Sequence, residues 1–406
     1  MLPVKKESFK TYYKQKTGRV IMKNILTISM LLFCCNATAA TVSNSVFVGM
    51  PDYLLDTAKA WAGIFSDFGP GADVANYINS VQTSDVSQYL NAISVLGFNS
   101  TAMALYEVND HVDQAFNVIN QPLVARRDSC TDNLPYCNYG RRSVVVDGKI
   151  FGSFSDYSGG NNGDFKTKNT GFSVNAKSFF ANGWLFGVEY TRSMTDTQDT
   201  KVYSDATGNS ITIFSQYLAD TGLFMNFGLN AGHTSWNIDK TIFNITDGGT
   251  YDTYFYAGQM NLGIRMLRGN FSMVPKIKIK YLLVTADKYI DDVAQEFGDW
   301  WYNMMETSAG IDLSFDFIGS DFVVRPTLHL GGGYDIISHG SDELHVQLID
   351  NQFYNIPVEA PEKAHLKAGL GLNFYNEYFT AGIEYMFNMR KDYMNNIIMA
   401  KLKIAF

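Results

Sequence analysis

From Ser143 to its last residue, Phe406, the chain alternates apolar and polar residues with a period of two, segment after segment. Period two places successive side chains on opposite faces of a strand. Leu366, Ala368, Leu370, Leu372 and Phe374 alternate with Lys367, Gly369, Gly371 and Asn373. Ala309, Ile311, Leu313, Phe315 and Phe317 alternate with Gly310, Asp312, Ser314 and Asp316, and Ile277 and Ile279 stand between Lys276, Lys278 and Lys280. Twelve strands can be read this way, near 143–157, 167–180, 183–194, 209–218, 222–237, 253–267, 270–285, 302–317, 321–336, 363–374, 377–389 and 392–406.

Alternation alone fits a soluble sandwich or a membrane barrel, and the connections separate them. After every second strand the link is brief: Ala181-Asn182, Ala219-Asp220-Thr221, Arg268-Gly269, Gly319-Ser320 and Tyr375-Asn376. The intervening links are long and polar, the longest covering 286–301 and 337–362; only Arg390-Lys391 departs from the pattern by being short. A bacterial outer-membrane barrel has an even strand number, short turns on one side and longer loops on the other. A sandwich has no reason to obey that rule. Beyond the N-terminal region there is no apolar run of ~18 residues, so spanning helices are excluded. The expected fold is an all-β membrane barrel of twelve antiparallel strands.

Lys or Arg facing lipid at mid-bilayer costs ~2–4 kcal/mol. Glu189, Arg265, Lys276, Lys278, Lys280, Asp312, Asp316, Arg325 and Glu384 are therefore expected in the lumen. Trp184, Tyr217, Tyr378 and Trp300 stand near strand ends, as interfacial girdle residues do. The last strand puts Ile398, Leu402, Ile404 and Phe406 on one face; with Tyr393 they form the expected recognition signal for the barrel-assembly machinery, for which a terminal aromatic is usual.

The other end reads as a targeting segment over residues 1–39. Lys23 leads into the apolar run 25–33, and Ala37-Thr38-Ala39 fits a cleavage site; the long basic stretch ahead of it makes Met22 an alternative start. Residues 1–39 hold seven Lys/Arg and one Glu, so their removal takes the formal charge from −8 to −14. Nothing so acidic offers a footprint for nucleic acid. Of the four cysteines Cys130 and Cys137 would remain, and their spacing in an exported chain suggests one disulfide. Residues 40–83 have short helical patterning around Tyr53 and Trp61. Residues 84–139 hold two further helical patterns, the second from Ser100 through Met103, Leu105, Val108, Val112, Phe116 and Ile119. At ~1.5 Å per residue its length matches a bilayer core of ~30 Å.

Gly369-Leu370-Gly371-Leu372, Gly382-Ile383-Glu384-Tyr385, Arg390-Lys391-Asp392-Tyr393 and the strand to Phe406 resemble the translocator domain of type V autotransporters. So do Gly183–Tyr190, the early barrel hairpin, and the Tyr89–Ile93 and Asn117–Asn120 segments, which stand where that family has its junction and pore helix. The resemblance covers 85–406. It implies a monomeric barrel (residues 140–406) in the bacterial outer membrane with a helix threaded through its pore, used to place an N-terminal passenger outside the cell. The expected partners are outer-membrane lipid and lipopolysaccharide, periplasmic chaperones, the assembly machinery, and a host or cell-surface ligand. Here the passenger is reduced to residues 40–83, or the barrel and its loops are the product. A porin-like channel with a partly plugged lumen is the competing expectation, and a remnant of a longer autotransporter is a third.

Some members of that family cleave themselves at an Asn of the pore helix, and Asn109 beside Asp110 is the best-placed candidate here. The Asn-Asn pair of the best-known version is absent from this helix. Polar packing against lumen charges is the plainer reading of both residues. No Gly-x-Ser-x-Gly or Gly-Asp-Ser block is present. His339, Asp342, Glu343 and His345 share one loop without helical spacing, and the acids of 286–299 are candidate sites for divalent ions bridging lipopolysaccharide. No enzyme, resident metal or cofactor is expected.

Overall fold

A computed structural model describes residues 52–62, 100–120, 144–158, 164–180, 184–198, 202–219, 221–242, 245–348, 352–358, 360–376 and 379–405. The signal-like segment, the Cys130–Cys137 loop, Tyr378 and Phe406 lie outside these residues.

Twelve antiparallel strands close into a barrel: β1 (Val144–Tyr157), β2 (Phe165–Phe179), β3 (Trp184–Gln198), β4 (Val202–Leu218), β5 (Leu223–Ile242), β6 (Ile245–Ile264), β7 (Phe271–Ala286), β8 (Trp300–Phe315), β9 (Val323–Gly340), β10 (Ala364–Tyr375), β11 (Phe379–Met389) and β12 (Tyr393–Ala405). Each strand pairs with its sequence neighbours. The ring shuts where β12 meets β1, from Tyr157 opposite Tyr393 to Val145 opposite Ala405. Closure satisfies every strand edge, which a lipid environment demands because no water is there to bond free backbone groups.

The sequence alternation becomes an inside and an outside. On β12, Ile398, Leu402 and Ile404 are exposed outward while Asn395, Ile397 and Met399 are buried inward. Ile150, Ile213, Leu366, Leu370 and Ile383 extend the outward apolar belt around the barrel. At the turn end, Gly222 (φ 83°) and Gly269 (φ 60°) take left-handed conformations that tight turns need and that a side chain would strain.

The loop end departs from expectation. Residues 195–208 and 238–252 read as loops, yet β3, β4, β5 and β6 run through them; β5 and β6 reach 20 residues each. An apolar band ~25 Å tall needs only ~9–11 residues of tilted strand. Half of this hairpin therefore stands beyond the bilayer.

The long loops are also folded. Short strands at Tyr289–Ile290, Glu296–Phe297, Glu343–Gln347 and Phe353–Pro357 form a separate four-stranded sheet over the barrel mouth. Helix α1 (Asp52–Ala62) lies against its Phe353–Pro357 strand. Ala58 and Ala60 of α1, Val346, Tyr354 and Ile356 of the sheet, and Trp236 and Phe255 of the barrel belong to one continuous buried cluster. Trp300, expected in a lipid girdle, is instead buried in that cluster beneath the cap. Trp184 and Tyr217 do sit together at the turn end, ring centres 5.0 Å apart.

Candidate functional site: the filled lumen

Helix α2 (Thr101–Ala115) and the short α3 (Asn117–Asn120) run down the inside of the barrel. Tyr251 donates a hydrogen bond to Ser100 Oγ at the loop end (3.2 Å). At the turn end Asn226 and Asn261 donate to the Ile119 carbonyl (2.6 and 3.1 Å), and Lys276 Nζ donates to that of Asn120 (3.3 Å). These side chains satisfy helix C-terminal carbonyls that would otherwise be orphaned, and the lysine complements the negative end of the helix dipole.

The helix is buried on all sides, and its two faces meet different walls. Toward β3–β6 it approaches closely: a Cβ at Gly208 would come within 3.0 Å of His111 Nδ1, and one at Gly228 within 3.0 Å of Phe116 and Ile119. That wall is made of hydroxyls and amides. His111 bonds with Ser193 Oγ (2.7 Å) and Ser210 Oγ (2.8 Å), and Thr195 donates to Glu107 (3.1 Å).

Toward β7–β12 and β1 the wall is charged. Asp113 bridges two strands, one carboxylate oxygen on Lys280 (2.6 Å) and the other on Lys367 (2.7 Å). Lys280 also reaches Glu306 (3.2 Å) and Asn109 (2.8 Å), and Lys278 pairs with Glu306 (2.6 Å). Arg390 pairs with Asp335 (2.7 Å). A bulge on β9 sets Asp335 directly opposite Glu306, a like-charge pairing that these cations offset. Nearer the turn end stand Lys276–Asp312 (2.6 Å), Lys401–Glu384 (2.5 Å), Arg325–Asp316 (2.5 Å) and Lys177–Asp147 (2.5 Å), the last beside Lys403. Lys149 closes the ring on Glu189 (3.1 Å).

Glu306, Asp335 and His365 bring three metal-ligand types together. Their carboxylates are already committed to Lys278, Lys280 and Arg390, which makes this an ion-pair network in character. On this side the helix leaves a cavity of about 150 Å³, lined among others by Ser308, Gly331, Gly332, Lys367 and Met386.

Of the charges expected in the lumen, Glu189, Lys276, Lys278, Lys280, Asp312 and Glu384 lie in this network, Asp316 and Arg325 pair near the turns, and Arg265 sits at a break after β6. Asn109 and Asp110, adjacent in sequence, point to different walls. Asn109 accepts from Lys280 on β7, whereas Asp110 accepts from Tyr393 and Asn395 on β12. Tyr393, read as part of the assembly signal, is buried in the lumen and stacks on Tyr106 (4.2 Å). Sequence reasoning missed the central role of Asp113, Glu306, Asp335 and His365. The strand parity of Glu306, two residues from Ser308 and six from Asp312, was the available signal. His339, Asp342, Glu343 and His345 do not form one cluster: His339 meets Trp301 edge-to-face, while Glu343 and His345 each bond to Asn355 within the cap sheet. Of the 286–299 acids, Asp291 is buried against Lys240 and Glu296 pairs with Lys288.

A closed twelve-stranded barrel with an apolar outer belt and a helix in its lumen defines a bacterial outer-membrane protein of the translocator type. The autotransporter β-domain family model matches residues 146–385, more than half of the chain, and the chain belongs to that family. Its fold is similar to the translocator domain of the autotransporter NalP from Neisseria meningitidis, with a TM-score of 0.59 and 12% identity over 74% of this chain and 98% of that one. It is also similar to the β-domain of the Bordetella autotransporter BrkA, with a TM-score of 0.51 and 12% identity over 65% and 100% of the two chains. At such identities the likeness speaks to the fold alone. No curated protein sequence matches the chain.

Proposed function

We propose that this barrel displays its own N-terminal segment on the cell surface, and that the displayed segment stays attached as part of a cap. The observation that carries this reading is chain order. Helix α1 lies on the cap at the loop end, α2 and α3 descend the lumen, and β1 starts at the turn end. In a closed barrel, a segment arranged this way must have crossed the lumen. The cap of α1 and four loop strands is then the surface product, a non-enzymatic binding module whose use is adhesion or host contact. The assembly machinery, through the β12 terminus, and lipopolysaccharide around the outer belt are its proposed partners.

An epitope tag just after Ala40 tests the reading. Digestion of the tag by protease on intact cells, with the barrel still folded and heat-modifiable, is the expected result. A tag protected until the outer membrane is permeabilised overturns display. The cavity beside the helix favours one second reading, a narrow channel for small solutes, and that outcome would leave it standing.

A further inference from the structure

The lumen wall and the chain that fills it carry opposite formal charge. Among the described residues, ten Lys and Arg side chains of the wall network face seven Asp and Glu, a formal excess of three positive charges. Helix α2 brings three acids, Glu107, Asp110 and Asp113, and no Lys or Arg. The imbalance continues upstream: residues 40–120 contain eight Asp and Glu against one lysine, Lys59. Nine of these cations lie on β1, β2 and β7–β12 and Arg390 directly follows β11, most of them on the side where the cavity opens; among the described residues, β3–β6 add only Glu189 to these ion pairs.

We propose that the lumen is an anion-selective conduit, with α2 as its built-in counter-ion. The inference rests on the helix occupying the lumen, as in the display reading. Low-dielectric walls concentrate the field of uncompensated charge along such a passage. An acidic chain lowers its energy by entering it, and the three helix acids quench the field once the helix is seated. With those acids removed, the wall favours small anions over small cations.

A thiol in the cavity measures this directly. Ser308→Cys is nearly isosteric, lines the cavity, and lies outside the ion pairs. In the full-length chain its modification rate is compared for two methanethiosulfonates of similar size, one bearing a sulfonate and one a trimethylammonium. Rates are normalised to a free thiol, and the background of the chain without the substitution is subtracted. Adding Glu107→Gln, Asp110→Asn and Asp113→Asn is expected to shift the rate ratio toward the anionic reagent by about tenfold or more, from charges ~10 Å away in a partly aqueous lumen. Further addition of Lys278→Gln, Lys280→Gln and Lys367→Gln is expected to return it. Asp113→Asn alone carries the same test at one charge, with an expected shift of about threefold, should the triple variant fail to fold. An unchanged ratio, a shift toward the cationic reagent, or no reaction with either reagent overturns the proposal. The readout is independent of whether residue 41 reaches the cell surface, so its failure is distinct from failure of display.

Discussion

The two halves of the lumen hold the same helix by different means. Along β3–β6 the contact is short-range, with hydroxyls, amides and bare glycine backbone against His111, Phe116 and Ile119. Along β7–β12 and β1 it is electrostatic, with Asp113 held between lysines from two strands and a cavity beside it. The first half fixes position, because hydrogen bonds and van der Waals contacts fail within an ångström. The second fixes which helix is accepted, because buried cations need acids and tolerate little else.

The largest effect is expected where that electrostatic half is broken at its centre. Glu306→Ala takes a partner from fully buried Lys280 and from partly buried Lys278, and removing one member of a buried pair costs about 3–5 kcal/mol. The temperature at which the folded barrel loses its heat-modifiable band shift should fall sharply. Steric intrusion separates the halves next. Gly228→Val places a side chain against Phe116 and Ile119 and should destabilise by about 1–3 kcal/mol. Gly371→Ala faces nothing nearer than 3.7 Å and should leave the same transition unchanged. Equal effects of the two would erase the distinction. On the hydroxyl side, Ser193→Ala leaves a His111 nitrogen without its partner for about 1–2 kcal/mol. That loss should persist in high salt, because no pair of exposed charges is involved.

The smallest effect concerns the cap, outside both halves and beyond the bilayer. Lys240 lies between Asp247 (3.7 Å) and Asp291 (3.3 Å) and over the Phe297 ring. Burial pushes the Asp247 carboxyl up to about 7; Lys240 opposes the rise and Asp291 adds to it. A carboxyl that holds its proton more tightly when folded stabilises the cap fully below its ordinary value near ~4. That contribution is lost as pH rises through about 7. Limited proteolysis of 337–362 should accelerate between pH 5 and pH 8, and Asp247→Asn should flatten the profile.

Every barrel strand was legible because a lipid face and a polar lumen write opposite characters on alternate residues. Where the strands leave the bilayer that contrast disappears: Tyr203, Asp205, Thr207 and Asn209 put polar groups on the outward face, and the stretch owes its β-structure to pairing with 192–198. The cap was hidden for another reason. Its strands are two to five residues long, and Glu296 finds its partner at Gln347. Neither period nor propensity marks so short and distant a pairing. Trp300 looked interfacial from its position at a strand end, yet the cap that buries it exists only in three dimensions.

The sequence by itself determined the strand number, the inward charges, the apolar belt and the amphipathic segment of a length to cross the membrane, since these follow from local periodicity and the cost of charge in lipid. Only the tertiary structure decided that Asn109 and Asp110 face different strands, that Asp113 joins Lys280 to Lys367, and that the loops and α1 close over the mouth. Those features depend on the rotation of a helix inside a closed ring and on contacts between residues up to about 300 positions apart, and no local pattern encodes either.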